Sequence, residues 1–163
     1  MRLRNLELKD APLMLEWMHD PDVVKDLYGN FLEKTLDDAE AFIRYANSNT
    51  DLHLAIVSDE DEYMGTVSLK YIDYDKRNVE FAIAVRKCAM GKGYSWYGMK
   101  EIIDKAFHEY KLTSVYWCVS KNNVRAIKFY EKHGFEITED VGQDALDRYC
   151  KMYGLKWFVC HDI

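Results

Sequence analysis

Two periods of apolar residues divide the chain into helical and extended segments. Residues 36–47 place Ala39, Phe42 and Ile43 on one face of a helix, and Thr35 lies where a helix cap is expected. Residues 79–85 alternate large apolar residues with small or acidic ones at a period of two, which is typical of a β-strand. The chain therefore mixes helices and strands.

The same patterns predict the remaining elements. Strands are expected at residues 2–7, 52–56, 63–72, 79–85, 113–119, 135–138 and 155–160. Helices are expected from Asp10 through Trp17, from Asp20-Pro21, over 36–47, from a glycine loop near residue 93 to about Tyr110, from Asn122 or Asn123 to Gly134, and over 143–153. Hairpins come first and strand–helix–strand units later, which predicts an α/β or α+β fold with a mixed, mostly antiparallel sheet of about seven strands.

The composition indicates one continuous domain, 1–163. The chain has 163 residues, 48% of them hydrophobic, with only two prolines and no repeats. Such a length buries roughly 70% of the surface that the unfolded chain exposes. No apolar run approaches the ~20 residues of a membrane-spanning helix, and the first residues lack the apolar core of a signal peptide, so no membrane association is expected.

Charge is unevenly distributed along the chain. The net charge is −6, from 22 Lys and Arg against 28 Asp and Glu, which argues against a general nucleic-acid binder. Residues 86–133 carry ten basic and four acidic residues, a local charge of +6, and the remainder carries −12. The basic block indicates an anionic ligand, and the alternative is basic residues on solvated helix faces.

Cysteines and histidines give no sign of a disulfide framework or a metal site. The four cysteines are widely spaced without a CxxC pair, which favours a reducing, cytoplasmic location. The five histidines lack zinc-ligand spacing, and the terminal Cys160-His161-Asp162 cluster is more typical of an incidental grouping. No metal is expected.

A glycine loop, Met90–Ser95, follows a predicted strand and precedes a predicted helix. Unpaired backbone N–H groups at a helix N-terminus attract anions, and glycines let the backbone approach a phosphate closely. Arg86, Lys87 and Lys92 add positive charge nearby. The spacing fits neither a P-loop nor a dinucleotide fingerprint, and the alternative to a phosphate loop is a simple glycine-rich turn.

A second motif, N-x-x-A-x-x-x-Y-x-x-x-G-F at residues 123–135, lies about 30 residues after the GKGY loop. In combination with Glu80-Phe81-Ala82-Ile83 before the loop, it resembles the GNAT acetyltransferase superfamily. The opening Arg2-Leu3-Arg4, Leu13–Trp17 and Asp20-Pro21 resemble its ribosomal-protein-alanine N-acetyltransferase-like group. The resemblance covers residues 1–138.

The resemblance implies acetyl-coenzyme A as the acetyl donor, held between splayed fourth and fifth strands. In the family's Q/R-x-x-G-x-G/A loop, Gly93 matches the first glycine, Ser95 replaces Gly or Ala, and Met90 replaces the polar first residue. The residues expected to contact the cofactor are Ala82, Ile83, Ala84, Val85, Met90, Gly91, Lys92, Gly93, Tyr94, Ser95, Asn123, Ala126 and Tyr130.

The resemblance also implies direct acetyl transfer with Tyr130 as the general acid, because a phenol can protonate a departing thiolate. The alternative is a tyrosine that only packs in the core. Glu80, on the strand face shared with Ala82 and Ala84, is the candidate base acting through water, with a strand-edge charge or a substrate-binding acid as alternatives. A Cys118 nucleophile, and hence an acyl-enzyme, is a further alternative.

The acceptor is expected to be a primary amine, either a protein N-terminus or a small molecule such as a polyamine, an antibiotic or an amino sugar. Trp17, Tyr28, His53 and Tyr71 are candidate acceptor contacts, with core or surface packing as the alternative. The net negative charge of the residues outside 86–133 favours an acceptor that is a cationic amine. A non-catalytic CoA-binding module is the rival function, and a monomer or homodimer is expected. Residues 140–163 match nothing specific, and their extra helix would cover the acceptor site or an interface.

Overall fold

The computed structural model describes residues 1–149 and 154–163. The strands are β1 (Arg2–Asn5), β2 (Leu52–Val57), β3 (Tyr63–Asp73), β4 (Asn78–Val85), β5 (Ser114–Ser120), β6 (Glu136–Thr138) and β7 (Leu155–His161). The helices are α1 (Ala11–Met18), α2 (Pro21–Val24), α3 (Leu36–Arg44), α4 (Tyr94–His108), α5 (Val124–Lys132) and α6 (Gln143–Arg148). These elements confirm the mixed α/β fold that the sequence predicts.

The strands form one seven-stranded sheet in the order β1-β2-β3-β4-β5-β7-β6. Every neighbouring pair is antiparallel except β4 and β5, which are parallel. A parallel pair needs a long crossover, and α4 supplies it, since this helix lies between the two strands in sequence. The sheet is therefore two antiparallel halves joined along one parallel seam.

The seam is short. Pairing between β4 and β5 runs from Asn78 and Ser114 to Glu80 and Tyr116, and then stops. Both strands continue, β4 paired only with β3 and β5 only with β7. Phe81 and Trp117 follow the last pair, and their rings meet edge to face with centroids 5.5 Å apart. The strands therefore diverge from an aromatic contact, which confirms the expected splay.

Helices cover both faces of the sheet. On one face, α4 and α5 bury Ile56, Phe81 and Trp117 in the largest apolar cluster. A Cβ at Gly98 of α4 would lie 2.5 Å from the Ile56 side chain, so a larger residue here would force that buried side chain to move. On the other face, α1 and α2 cover the β2 and β3 side, and α6 covers β5 and β7.

Local signals in the sequence define most helix ends. Thr35 and Asp38 form a reciprocal capping box at the start of α3. The Asn123 side chain accepts a hydrogen bond from the Ala126 amide at the start of α5, so Asn123 rather than Asn122 is the cap. Gly134 follows α5 with a φ of 77°, which glycine adopts without strain. The predicted helix over 143–153 is observed as Gln143–Arg148, and residues 150–153 lie outside the described residues.

Two arginines attach the first helices to the sheet. Arg4 of β1 makes a bidentate ion pair, at 2.7 and 2.8 Å, with Asp10, which is 2% exposed. Arg86, at the end of β4, is paired with Glu16 of α1 and with Glu62. Glu16 lies 70 positions before Arg86 in the sequence, so this pair sets the position of α1 relative to the strands, while the Arg4–Asp10 pair fixes the turn that precedes α1.

Within the described residues, no helix is both long and apolar enough to cross a membrane.

We expect Trp117→Ala to destabilise the protein by about 3–5 kcal/mol, because it removes a large ring that is 2% exposed and leaves a cavity where the strands diverge. Urea unfolding followed by circular dichroism measures this change. Tyr45→Ala, at a side chain that is 82% exposed, is the control and should stay within about 0.5 kcal/mol of the parent. Equal midpoints for both variants would contradict the role given to Trp117.

Candidate active site

A cavity of about 540 Å³ opens where β4 and β5 diverge. It continues from this gap across the sheet face that lies beneath α1 and α3, and it reaches the first turns of α5. Backbone groups of Phe81–Val85 and Trp117–Ser120 have no strand partner across the gap. The cavity therefore combines the unpaired strand edges at the gap with a region beneath α1 and α3 that is lined by aromatic side chains, among them Trp17, Phe31 and Phe42.

Register explains why a row of polar side chains faces this cavity. Successive residues of a strand point to opposite faces, so Glu80, Ala82 and Ala84 share one face. Lys70 pairs with Glu80, and Ser68 pairs with Ala82. The small side chains of Ala82 and Ala84 leave room in the gap, while Glu80 and Lys70 place opposite charges at its inner end.

Glu80 lies at the last pair of the parallel seam and is 1% exposed. Its Oε2 accepts a hydrogen bond of 2.8 Å from the Tyr149 hydroxyl and lies 3.2 Å from Lys70 Nζ. Its Oε1 is buried and has no hydrogen-bond partner among the described residues; Arg148 Nη2 is 3.9 Å away. Burial excludes the strand-edge charge that the sequence left open, and a buried carboxylate oxygen in a cavity wall is available to a ligand.

Tyr130 belongs both to the core and to the cavity wall. Its ring packs against Trp117 and Phe158, with centroids 5.3 and 5.1 Å away, and the residue lines the cavity. Burial raises the pKa of the Tyr130 hydroxyl well above its ordinary range, and the neighbouring Cys118 thiol acts in the same direction. The hydroxyl therefore keeps its proton at neutral pH and has one to donate.

Cys118 lines the cavity from β5, but its surroundings disfavour a thiolate. Burial, assisted by the charge of Glu80, raises the pKa of the Cys118 thiol to about 12. Nucleophilic cysteines instead have lowered pKa values near cations or helix N-termini. The geometry thus argues against the acyl-enzyme alternative.

His53 and Ser68 form a buried polar pair farther along the cavity. His53 Nδ1 and Ser68 Oγ are 2.6 Å apart, and Phe42 of α3 contacts the imidazole edge to face at 4.8 Å. Burial lowers the pKa of His53, which keeps the ring neutral at pH 7. The pair offers hydrogen bonds to a ligand rather than charge.

The glycine loop lies at the N-terminus of α4. Gly91 and Gly93 have φ values of 75° and 88°, which other residues rarely adopt. A Cβ at Gly91 would meet nothing within 4 Å, and Gly93 gives the helix no side-chain cap. The first amides of α4 therefore point outward with no partner in the helix, as an anion site requires.

The cations of this region differ from the sequence expectation. Arg86 is buried and paired with two carboxylates, so it is not available to an anion, while the exposed Lys87 lies 3.0 Å from Asp22 in a surface ion pair. Arg125 of α5 instead lies beside the loop, with Nη1 3.1 Å from the sulfur of Met90. It places a guanidinium next to the residue that replaces the polar first position of the family loop.

The structure brings most of the predicted site residues to the cavity. Those that line it are Trp17, Tyr28, His53, Glu80, Ala82, Ile83, Ala84, Asn123, Ala126 and Tyr130. Val85 is buried at the end of β4 outside the lining, and Met90, Gly91, Lys92, Gly93, Tyr94 and Ser95 form the separate surface of the α4 N-terminus.

Tyr71 does not line this cavity. It has a φ of 56°, and the β3–β4 register shifts between Lys70 and Asp73, so its side chain leaves the polar row and is 45% exposed. Its ring stacks beneath the Arg148 guanidinium at 3.9 Å. A period-two pattern does not reveal such a bulge.

Sequence reasoning missed three residues around Glu80, namely Lys70, Arg148 and Tyr149. The hairpin register of β3 and β4 was the signal that could have found Lys70. Arg148 and Tyr149 come from the end of α6, some 70 positions away in sequence, and no local pattern connects them to Glu80.

Comparisons with known proteins agree with this architecture. The family model described as an acetyltransferase (GNAT) domain matches residues 1–136. An uncharacterized N-acetyltransferase p20 of Bacillus licheniformis is 28% identical over 145 residues, covering 83% of this chain and 79% of the relative. A spermidine N(1)-acetyltransferase of Escherichia coli is 25% identical over 137 residues, covering 84% of this chain and 73% of the relative.

Among solved structures, spermidine N-acetyltransferase from Vibrio cholerae, in complex with CoA and spermine, is similar with a TM-score of 0.79. The two chains are 20% identical, and the match covers 98% of this chain and 94% of the other. At this identity the likeness supports the fold alone.

The thiol environments predict a difference in reactivity. At about pH 8, an ordinary thiol with a pKa of about 8.5 is partly ionised, whereas Cys118 is held as the neutral thiol. With Ellman's reagent on the folded protein, Cys88→Ser should remove a fast phase, because Cys88 is exposed. Cys118→Ser should leave the fast-phase amplitude unchanged, and a loss there would contradict the assigned environment.

Proposed function

Since the chain belongs to the GNAT family of acetyl-CoA-dependent N-acetyltransferases, we propose that its acceptor is a small cationic amine of the polyamine class. The observation that carries this proposal is Glu80, a buried carboxylate that lines the cavity and whose Oε1 accepts no hydrogen bond from the described residues. Asp26 and Asp38 also line the cavity, together with Lys34 and Lys70, so the charged side chains of the lining carry three carboxylates against two ammonium groups. The name of the Escherichia coli relative, a spermidine acetyltransferase, supports the same class.

The residues around the gap fit the donor. Ala82 and Ala84 leave room beside the unpaired edge of β4, whose backbone groups can hold an amide-containing arm. The amides of Tyr94 and Ser95 at the start of α4, with those of Gly91 and Gly93, are suited to the pyrophosphate, and Arg125 beside Met90 supplies positive charge. When bound, acetyl-CoA supplies the acetyl group as a thioester, so that transfer forms a nitrogen–carbon bond and breaks a carbon–sulfur bond.

Tyr130 and Glu80 divide the proton transfers of this reaction. The Tyr130 hydroxyl holds the proton that the departing sulfur needs, and burial keeps that proton in place until it is used. Glu80 Oε1 accepts the proton that the amine loses, directly or through one water. The two residues approach the gap from opposite faces of the sheet, Tyr130 from α5 and Glu80 from β4.

Aromatic side chains shape the acceptor end. Trp17 is held by a 3.0 Å hydrogen bond from its indole nitrogen to the Tyr63 hydroxyl, and Phe31 contacts it edge to face at 5.1 Å. Tyr28 is half exposed and borders the cavity mouth. Aromatic faces attract cations, so these walls suit an alkyl chain that bears ammonium groups.

The opening motif favours a second acceptor. Arg2-Leu3-Arg4 and Leu13–Trp17 resemble the ribosomal-protein-alanine group, whose acceptor is a protein N-terminus. A peptide acceptor therefore belongs in the test.

Release of free CoA thiol from acetyl-CoA across an amine panel tests the proposal. The panel holds spermidine, spermine, putrescine, an amino sugar and a peptide with N-terminal alanine. We expect kcat/KM for a polyamine to exceed that for the peptide and the sugar by at least about 10-fold, because only the polyamine pairs with all the carboxylates. Preference for the peptide or the sugar would contradict the acceptor class, and tight acetyl-CoA binding without turnover on any amine would contradict catalysis.

Replacing Tyr130 by Phe removes the acid and keeps the ring. We expect kcat to fall by roughly 10²–10⁴-fold while the dissociation constant for acetyl-CoA is unchanged, since the ring still packs against Trp117. Tyr110→Phe, at a tyrosine remote from the cavity lining, is the matched control and should retain full activity. An unaltered kcat in Tyr130→Phe would remove this residue as the acid.

A further inference from the structure

The two oxygens of Glu80 have different surroundings. Oε2 accepts the Tyr149 hydrogen bond and lies 3.2 Å from Lys70 Nζ, whereas Oε1 accepts no hydrogen bond from the described residues and has only Arg148 Nη2, 3.9 Å away, as a charged neighbour. A freely turning carboxylate would share its donors between both oxygens. A hydrogen bond and an ion pair on the same oxygen favour one orientation of the side chain, in which Oε1 can still accept a hydrogen bond from a ligand.

Tyr149 contacts both sides of the acceptor end. It follows α6 and packs against Trp157 of β7, with centroids 5.8 Å apart. Across the cavity its ring meets Tyr28 edge to face at 5.1 Å. Both tyrosines line the cavity, so this contact closes one side of it.

The residue lies outside the part of the chain that the family model matches, residues 1–136. The contact between Tyr149 and Glu80 is therefore a feature of this chain's C-terminal segment, built on a small apolar cluster of Tyr116, Val141, Ala145 and Trp157.

We propose that Tyr149 is a positioning residue, which holds Glu80 Oε2 together with Lys70 so that Oε1 faces the acceptor amine. The proposal rests on the proposed function in taking an amine as the ligand. Tyr149 acts through Glu80 rather than on the amine or the thioester itself, because its hydroxyl donates its hydrogen bond to Glu80 Oε2.

The chemistry of the contact suits this role. Burial, with the charge of Glu80 beside it, raises the pKa of the Tyr149 hydroxyl far above its ordinary range, so the hydroxyl remains a donor at any working pH. An ammonium N–H to Oε1 makes a charge-assisted hydrogen bond, which is about twice as strong as a neutral one and depends on alignment. Loss of the Tyr149 hydroxyl leaves Lys70 alone on Oε2 and lets the carboxylate turn.

Calorimetric titration of spermidine into the CoA-bound protein tests the proposal without requiring turnover. We expect Tyr149→Phe to weaken spermidine binding by about 10-fold, because it removes one hydrogen bond to a charged group, and to leave acetyl-CoA binding unchanged. Glu80→Gln should weaken spermidine binding at least as much. The double variant should be no weaker than Glu80→Gln, since Tyr149 acts through Glu80. Tyr45→Phe, at an exposed site, is the matched control.

The outcomes separate the two proposals. Failure of every panel amine to turn over, with spermidine binding weakened in Tyr149→Phe, would contradict the proposed function and support the positioning role. Three results would overturn the positioning role. These are spermidine binding by Tyr149→Phe as tight as that of the parent, no spermidine binding by the parent at all, and losses of the two single variants that add in the double variant. Should Tyr149→Phe fail to fold, Tyr149→Met keeps an apolar side chain in the cluster and removes the hydroxyl, and the same loss of spermidine binding is expected.

Discussion

The end of pairing between β4 and β5 is the constraint on which the rest of this structure depends. The strands share three residue pairs and then diverge, and the Phe81–Trp117 contact fills the fork on one face. Divergence leaves backbone groups unpaired along both edges, a cost that an ordinary sheet avoids. Here the gap opens into the cavity, so the groups that the sheet leaves unpaired are available to a ligand.

The same fork determines where the chemistry can occur. Glu80 is the last paired residue on one face, and Trp117, against which Tyr130 packs, is the first unpaired residue on the other. A buried carboxylate is costly unless it is paired. Tyr149 and Lys70 contact Oε2 of Glu80 closely, whereas Oε1 has only Arg148, 3.9 Å away. Tyr130 and Glu80 lie on opposite sides of one gap, both shielded from water, which supports the acid and base roles that we propose for them.

Local patterns in the sequence were reliable where the physics is local. The capping box at Thr35, the Asn123 cap and the glycine after α5 each depend on atoms within a few residues, and all three are present. Tyr71 points outward because the β3–β4 register shifts next to it, and no residue type in this segment predicts that shift. The sequence shows the charge of Arg86 and so predicts an anion beside it. The sequence does not show that Glu16 of α1 and Glu62 before β3 already pair with this guanidinium.

The sequence by itself determined the order of strands and helices, the mixed sheet, the GNAT resemblance and the residue types at the gap, because periodicity, caps and short motifs are written in neighbouring residues. Only the tertiary structure decided which oxygen of Glu80 accepts a hydrogen bond, that Arg86 is already paired with two carboxylates, and that Tyr149 reaches the acceptor end. Those results depend on contacts between residues some 24 to 70 positions apart, and such contacts follow from packing and register rather than from any local pattern.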